Sequence, residues 1–160
     1  MKYIGIFIIV AAIFGFGIDY QKKEKEKLSQ CEGFLSLISH IRVQTSCYLS
    51  PLCNLLTGFE CRALENVGLL TEFLNCSNLL ESYKKVEKNL LLDKEEKHIL
   101  FILFSSLGQA YIEDTMKLID SSEHALSERA DEMRQKVDKN SKISGVLSCA
   151  IALGLLIFLI

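Results

Sequence analysis

The two ends of the chain constrain it most. Residues 3–18, YIGIFIIVAAIFGFGI, and residues 143–160, ISGVLSCAIALGLLIFLI, carry no charge, and every Asp and Glu of the 160 residues lies between them. An α-helix rises about 1.5 Å per residue, so eighteen residues reach roughly 27 Å, close to a hydrocarbon core of ~30 Å. Leu, Ile and Phe, which dominate the second run, each favour insertion by about 0.3–0.6 kcal/mol. Ser144 and Ser148 can bond back to the preceding turn and do not spoil the span. The alternative for this run is a buried core helix, which seldom lacks a polar face over such a length. For the first run the alternative is a cleaved secretory signal, with Lys2 ahead of the apolar stretch and Gly15 and Gly17 near its end. No Ala-x-Ala site follows, and Asp19-Tyr20 leads straight into QKKEKEK. The expectation is two transmembrane helices, 1–18 and 143–160, enclosing a helical bundle at 19–142.

The charges beside these runs orient them. Lys22, Lys23, Lys25 and Lys27 follow the first, while Arg129, Arg134, Lys136, Lys139 and Lys142 precede the second. Lys and Arg flanking a span stay on the cytoplasmic side, which places the middle segment in the cytoplasm of an integral membrane protein. That segment holds 17 Lys and Arg against 20 Asp and Glu, and a net of −3 leaves no basic footprint for nucleic acid. Cys31, Cys47, Cys53, Cys61 and Cys76 lie in it, with Cys149 in the second span. Five is an odd number for a disulfide framework and no Cys-x-x-Cys occurs, so the thiols read as small packing groups in a reducing compartment.

Leu, Lys, Glu and Ser dominate, with Pro occurring once, and the composition is that of helices. Leu28, Cys31, Leu35, Ile38 and Ile41 recur at three and four residues, one apolar helix face that continues the first span. Pro51 can open a second helix, with Leu52, Leu55, Leu56 and Phe59 as its face. Cys61, Leu64, Leu69, Leu70 and Phe73 continue the pattern through Gly68, and Leu79, Leu80, Tyr83, Val86 and Leu90 mark a further helix after the turn NCSN. Asp93 and Glu96 resemble a capping box ahead of ILFILF, 99–104, whose all-round apolarity predicts the deepest burial, with Gly108 as its stop. The last helix is predicted from Glu113 to Ile160 without a break. Ile112, Met116, Ile119, Glu123, Leu126, Ala130, Met133 and Val137 give it the 3.5-residue seam of helices packed nearly in line. Its expected partner is the Leu28–Ile41 helix, antiparallel, because both leave one membrane surface. A homomeric coiled coil, and hence a homo-oligomer, is the alternative.

No catalytic, cofactor-binding or metal-binding residue is assigned. His40, His98 and His124 form no His-x-x-x-His or HExxH pair, and read as surface or edge histidines. No phosphate-cradling Gly-x-x-x-x-Gly-Lys-[ST] loop exists. Glu113-Asp114 and Asp131-Glu132 are adjacent in sequence, so their side chains diverge on a helix instead of pairing as acid and base. The stretch SEHALSERADEMRQK, 122–136, reads as a charged helix face. The chain is expected to be non-enzymatic and to act by being held and touched.

Certain stretches bear a family likeness. Leu107-Gly108 followed by a long charged helix into SGVLSCAIALGLLIFLI, LSLISHI at 35–41, and Pro51-Leu52 together resemble the stage III sporulation protein AB family of endospore-forming bacteria. His40 stands where that family usually carries an acidic residue. The resemblance implies a helical domain similar to those of the platform protein of type II secretion and type IV pilus machines. It further implies a scaffold in the mother-cell membrane facing the forespore, within a secretion-like channel complex, with a cytoplasmic ATPase and other channel subunits as partners. A membrane-tethered coiled-coil sensor or adhesin with an extracytoplasmic middle is the rival reading, and an accessory subunit of an enzyme complex is a third.

Overall fold

A computed structural model describes the backbone of residues 2–48, 56, 58–75, 78–107 and 112–159, and the side chains of 18–45, 56, 58–75, 78–107, 113–141, 143 and 154. Every regular element among them is a helix: α1 (Lys2–Tyr48), α2 (Arg62–Glu65), α3 (Leu69–Asn75), α4 (Leu79–Val86), a 3-10 turn (Glu87–Asn89), α5 (Lys94–Ser106) and α6 (Ile112–Leu159). The expected length of the last helix holds: α6 has 48 residues. α1, at 47 residues, likewise runs from the apolar end through the charged stretch into the Leu28–Ile41 face.

Packing divides the chain into two units. Unit 1 joins Met1–Lys25 to Glu132–Ile160, and unit 2 is Glu26–Asp131. The division follows contacts, whereas the expected spans at 1–18 and 143–160 follow hydropathy. Among the described residues no helix is long and apolar enough to cross a membrane. The two apolar runs have helical backbone, but nearly all of their side chains lie outside those described. In unit 1, Gln21, Glu24 and Lys25 of α1 share a groove with Val137 and Asn140 of α6.

In unit 2, α1 and α6 run antiparallel. The Cys31 thiol points at the Leu126 carbonyl, 3.8 Å away, while Arg42 reaches Asp120 and Glu123. The expected α6 seam is carried by Ile119, Leu126 and Ala130, all buried, and α1 contributes Cys31, Phe34, Leu37, Ile38 and Ile41. The α1 face is thus shifted from expectation: Leu28 and Leu35 are only half-buried, and Phe34 and Leu37 take the centre.

The short helices close the core. Gly68 has φ +80° and ends the turn after α2, so the helix expected through it is split in two. The left-handed backbone is cheap only for glycine. Leu64, Leu69, Leu70 and Phe73 are nevertheless buried as their spacing predicts. Asn78 caps α4, its Oδ1 accepting from Leu80 N at 3.0 Å, as the NCSN turn implied. The Phe104 ring packs edge-on against Phe73 and tilted against Tyr83, with ring centroids 5.3 and 5.2 Å away. The Tyr83 hydroxyl donates to the Lys97 carbonyl at 2.9 Å, tying α4 to α5. Most of the helix expected from Pro51 to Phe59, and Gly108, lie outside the described residues.

α5 departs from expectation in two ways. Leu100, Leu103 and Phe104 are buried, but Phe101 and Ile102 are 36% and 39% exposed, because a helix with one neighbouring layer hides only one side of an all-apolar run. Lys84 lies 5.5 Å from the Phe101 ring centroid. The capping box is not formed either. Asp93 occupies the N-cap without a side-chain cap bond, its carboxylate pairs with Lys27 of α1, and Glu96 is buried.

Gly33 is where α1 receives α2. A Cβ there would meet Cys61 Sγ at 3.0 Å and Leu64 Cγ at 3.2 Å. Gly33→Val should therefore lower stability by about 2 kcal/mol through overpacking, read by denaturant unfolding. An unchanged midpoint would mean that α2 is not seated on this helix.

Candidate docking surface

Residues at three- and four-residue spacing on α6 of unit 2 build one polar groove: Asp120, Glu123, His124, Ser127, Glu128 and Asp131, with Arg42 entering from α1. The groove has a volume of about 350 Å³. Arg42 spreads its fork across two carboxylates, Nη2 to Asp120 at 3.0 Å and Nη1 to Glu123 at 3.1 Å. Glu123 is the sole charged member of the α6 seam, and Arg42 is its answer across the helix pair. The arginine is 45% exposed, so the pairs stabilise the fold by no more than about 1 kcal/mol each. Their larger effect is to fix the guanidinium among acids. Four carboxylates and one guanidinium line the groove, a surface complementary to basic side chains.

A second groove, of about 410 Å³, lies between α1, the segment from α2 to α3, and the strand-like stretch before α5. Glu26, Ser29, Asn66 and Asn89 give it a polar lining, and Leu91, 40% exposed, adds an apolar wall. Gln30 is buried beneath it, its Oε1 accepting from Leu91 N at 2.9 Å.

The first turn of α5 is held from both sides. Asp93 pairs with Lys27 of α1 and Glu95 with Arg129 of α6, while Glu96 turns inward, 3% exposed, with no partner for its Oε2 among the described residues. Burial first, and the neighbouring Glu96 and Glu32 charges second, push the Cys31 thiol up to about 11, against a smaller lowering by Lys27. A neutral thiol is a poor nucleophile, so Cys31 acts as a packing group, as its place in the pattern suggested.

The three histidines are not brought together. His98 and His124 are exposed, and His124 Nδ1 lies 3.8 Å from Glu128 Oε1. His40 is half-buried against Phe59, centroids 5.4 Å apart, and its Nε2 has no partner among the described residues. No group of three or more His, Cys, Asp and Glu among the described residues could hold a metal ion. Sequence reasoning missed Arg42 and the burial of Glu96. The signal for the first was the one acid interrupting an otherwise apolar seam.

The family model described as stage III sporulation protein AB matches residues 2–160. The chain belongs to that family. Its members are sporulation proteins, and membership is consistent with a role in sporulation. No curated protein and no solved structure matches the chain.

Two outcomes test the α5 turn. Glu96→Leu should raise stability by about 1–2 kcal/mol, because a carboxyl oxygen without a partner is costly to bury, and should lower the Cys31 pKa. In the wild type the raised thiol is protonated in the fold when the unfolded thiol, near 9.0, has begun to ionise. Its contribution to stability is complete below pH 9 and is lost as the pH rises toward about 11. Alkylation of Cys31 followed against pH and unfolding measures both effects.

Proposed function

We propose that the chain is a non-enzymatic membrane scaffold of endospore formation, a subunit of a secretion-like channel between mother cell and forespore. Its two apolar runs span the mother-cell membrane, and its unit 2 lies in the cytoplasm, where it docks an ATPase. The observation that carries this reading is the segregation of charge. Unit 2 holds ten Lys and Arg against sixteen Asp and Glu, a net of −6, while unit 1 holds eight against four, a net of +4. A compact acidic body with a pre-set Arg42–Asp120–Glu123 cluster is suited to being bound, and cationic residues beside apolar runs are suited to staying on the cytoplasmic face. Family membership supports the sporulation context.

Docking follows on the acidic groove of α6. Opposite charges there steer the partner's basic side chains and fix the register in which it sits. Asp120→Lys combined with Glu128→Lys should weaken capture of the cytoplasmic ATPase from sporulating cells at least about tenfold, and wild-type capture should weaken with added salt. Undiminished capture by the double variant would remove the groove from the reading. Reporters fused after Glu60 and after Ile160 decide the topology, and an extracytoplasmic middle would end the scaffold reading.

A further inference from the structure

In unit 1, Gln21, Glu24 and Lys25 line one groove with Val137 and Asn140, and Ile18 and Ile143 stand three residues outward from Gln21 and Asn140, at the inner ends of the two apolar runs. Both are exposed, at 65% and 52%, as is Tyr20 at 57%. Two separate stretches of chain thus present bare apolar side chains where their apolar runs meet the charged segments, with an amphipathic tyrosine beside the first. Tyrosine is enriched at that depth of a bilayer interface.

The cations repeat the symmetry. Lys22 stands four residues beyond Ile18, and Lys139 four residues before Ile143; Lys25 and Lys136 stand seven residues away in the same sense. All four are exposed, as is Lys23. At 1.5 Å per residue the first tier lies roughly 6 Å from the isoleucines and the second roughly 10 Å. A head-group layer adds about 5–8 Å to each side of the hydrocarbon, so the first tier falls within it and the second at its outer edge. Asp19, Glu24, Glu132 and Asp138 share these stretches, against seven Lys and Arg in 19–25 and 132–142, leaving a net of +3.

We propose that this double tier of lysines binds the phosphates of anionic phospholipid head groups, with Lys22 and Lys139 as the primary pair and Ile18, Tyr20 and Ile143 setting the depth. The proposal rests on the membrane-spanning reading. It adds a lipid preference to it: a zwitterionic surface would satisfy the apolar residues but not the lysines. A lysine near an anionic surface contributes about a fivefold factor, and two together exceed tenfold.

The test uses the full chain in mixed micelles with fluorescently labelled phosphatidylglycerol as the bound probe. Unlabelled phosphatidylglycerol should displace it at least about tenfold better than phosphatidylcholine, and inorganic phosphate should not displace it. Lys22→Gln with Lys139→Gln should erase most of that preference, Lys25→Gln with Lys136→Gln a smaller part, and Lys84→Gln with Lys88→Gln in unit 2 none. Equal displacement by the two lipids, displacement by inorganic phosphate, or an unchanged preference in the Lys22/Lys139 variant would overturn the proposal. Carbonate washing of membranes separates the two readings. A chain that stays with the washed membrane yet shows no preference loses only the head-group site, whereas one released by carbonate loses the spans as well.

Discussion

The antiparallel contact of α1 with α6 is the constraint on which unit 2 depends. Neither α2 nor α3 nor α4 is long enough to be stable alone, since isolated helices shorter than ~12–15 residues are marginal in water. The long pair holds α2 through the glycine gap at Gly33 for Cys61 and Leu64, the Leu91 amide through Gln30, and the start of α5 through Lys27 and Arg129, while α3 and α4 bind each other and α5. Arg42 then closes the same pair at the other end of the α1 face, against Asp120 and Glu123. One helix contact therefore both organises the core and places the charged groove of Arg42 and the α6 acids.

Much of this was legible because long helices leave long signals. The α6 seam repeats through eight positions without Pro or Gly, and averaging over so many turns makes its extent hard to misread. The shorter elements carry less signal. Apolar spacing located the buried residues from Leu64 to Phe73 correctly, yet it is blind to the sign of φ, and the positive φ of Gly68 divides the helix there. In ILFILF, composition counted six apolar residues, but one packed layer hides only those that face it, which excludes Phe101 and Ile102.

The polar errors share a cause. Asp93 and Glu96 stand at capping-box spacing, and a local rule considers only the backbone amides nearby. Lys27 lies sixty-six residues away in sequence and pairs with the Asp93 carboxylate, while Glu96 is buried and its charge is felt at Cys31. Arg42 left only an indirect trace in sequence, the lone acid Glu123 in the α6 seam, since a single arginine on a helix has no periodic partner until α6 is laid against it. Ion pairs between residues far apart in sequence are facts of the third dimension. The absence of nucleotide and metal motifs, by contrast, needed no structure to notice.

Tyr83 gives the fold a built-in optical gauge. The chain has no tryptophan and five tyrosines, so its near-ultraviolet signal comes from a few phenols. Tyr83 is wholly buried, packed at a tilt against Phe104 and hydrogen-bonded to a carbonyl of the next helix. Burial, and then the Glu87 charge, holds its ionisation well above the ordinary tyrosine range. Its phenolate band would emerge only after α4 lifts from α5, which lets a spectrometer follow the opening of this helix pair in unlabelled protein.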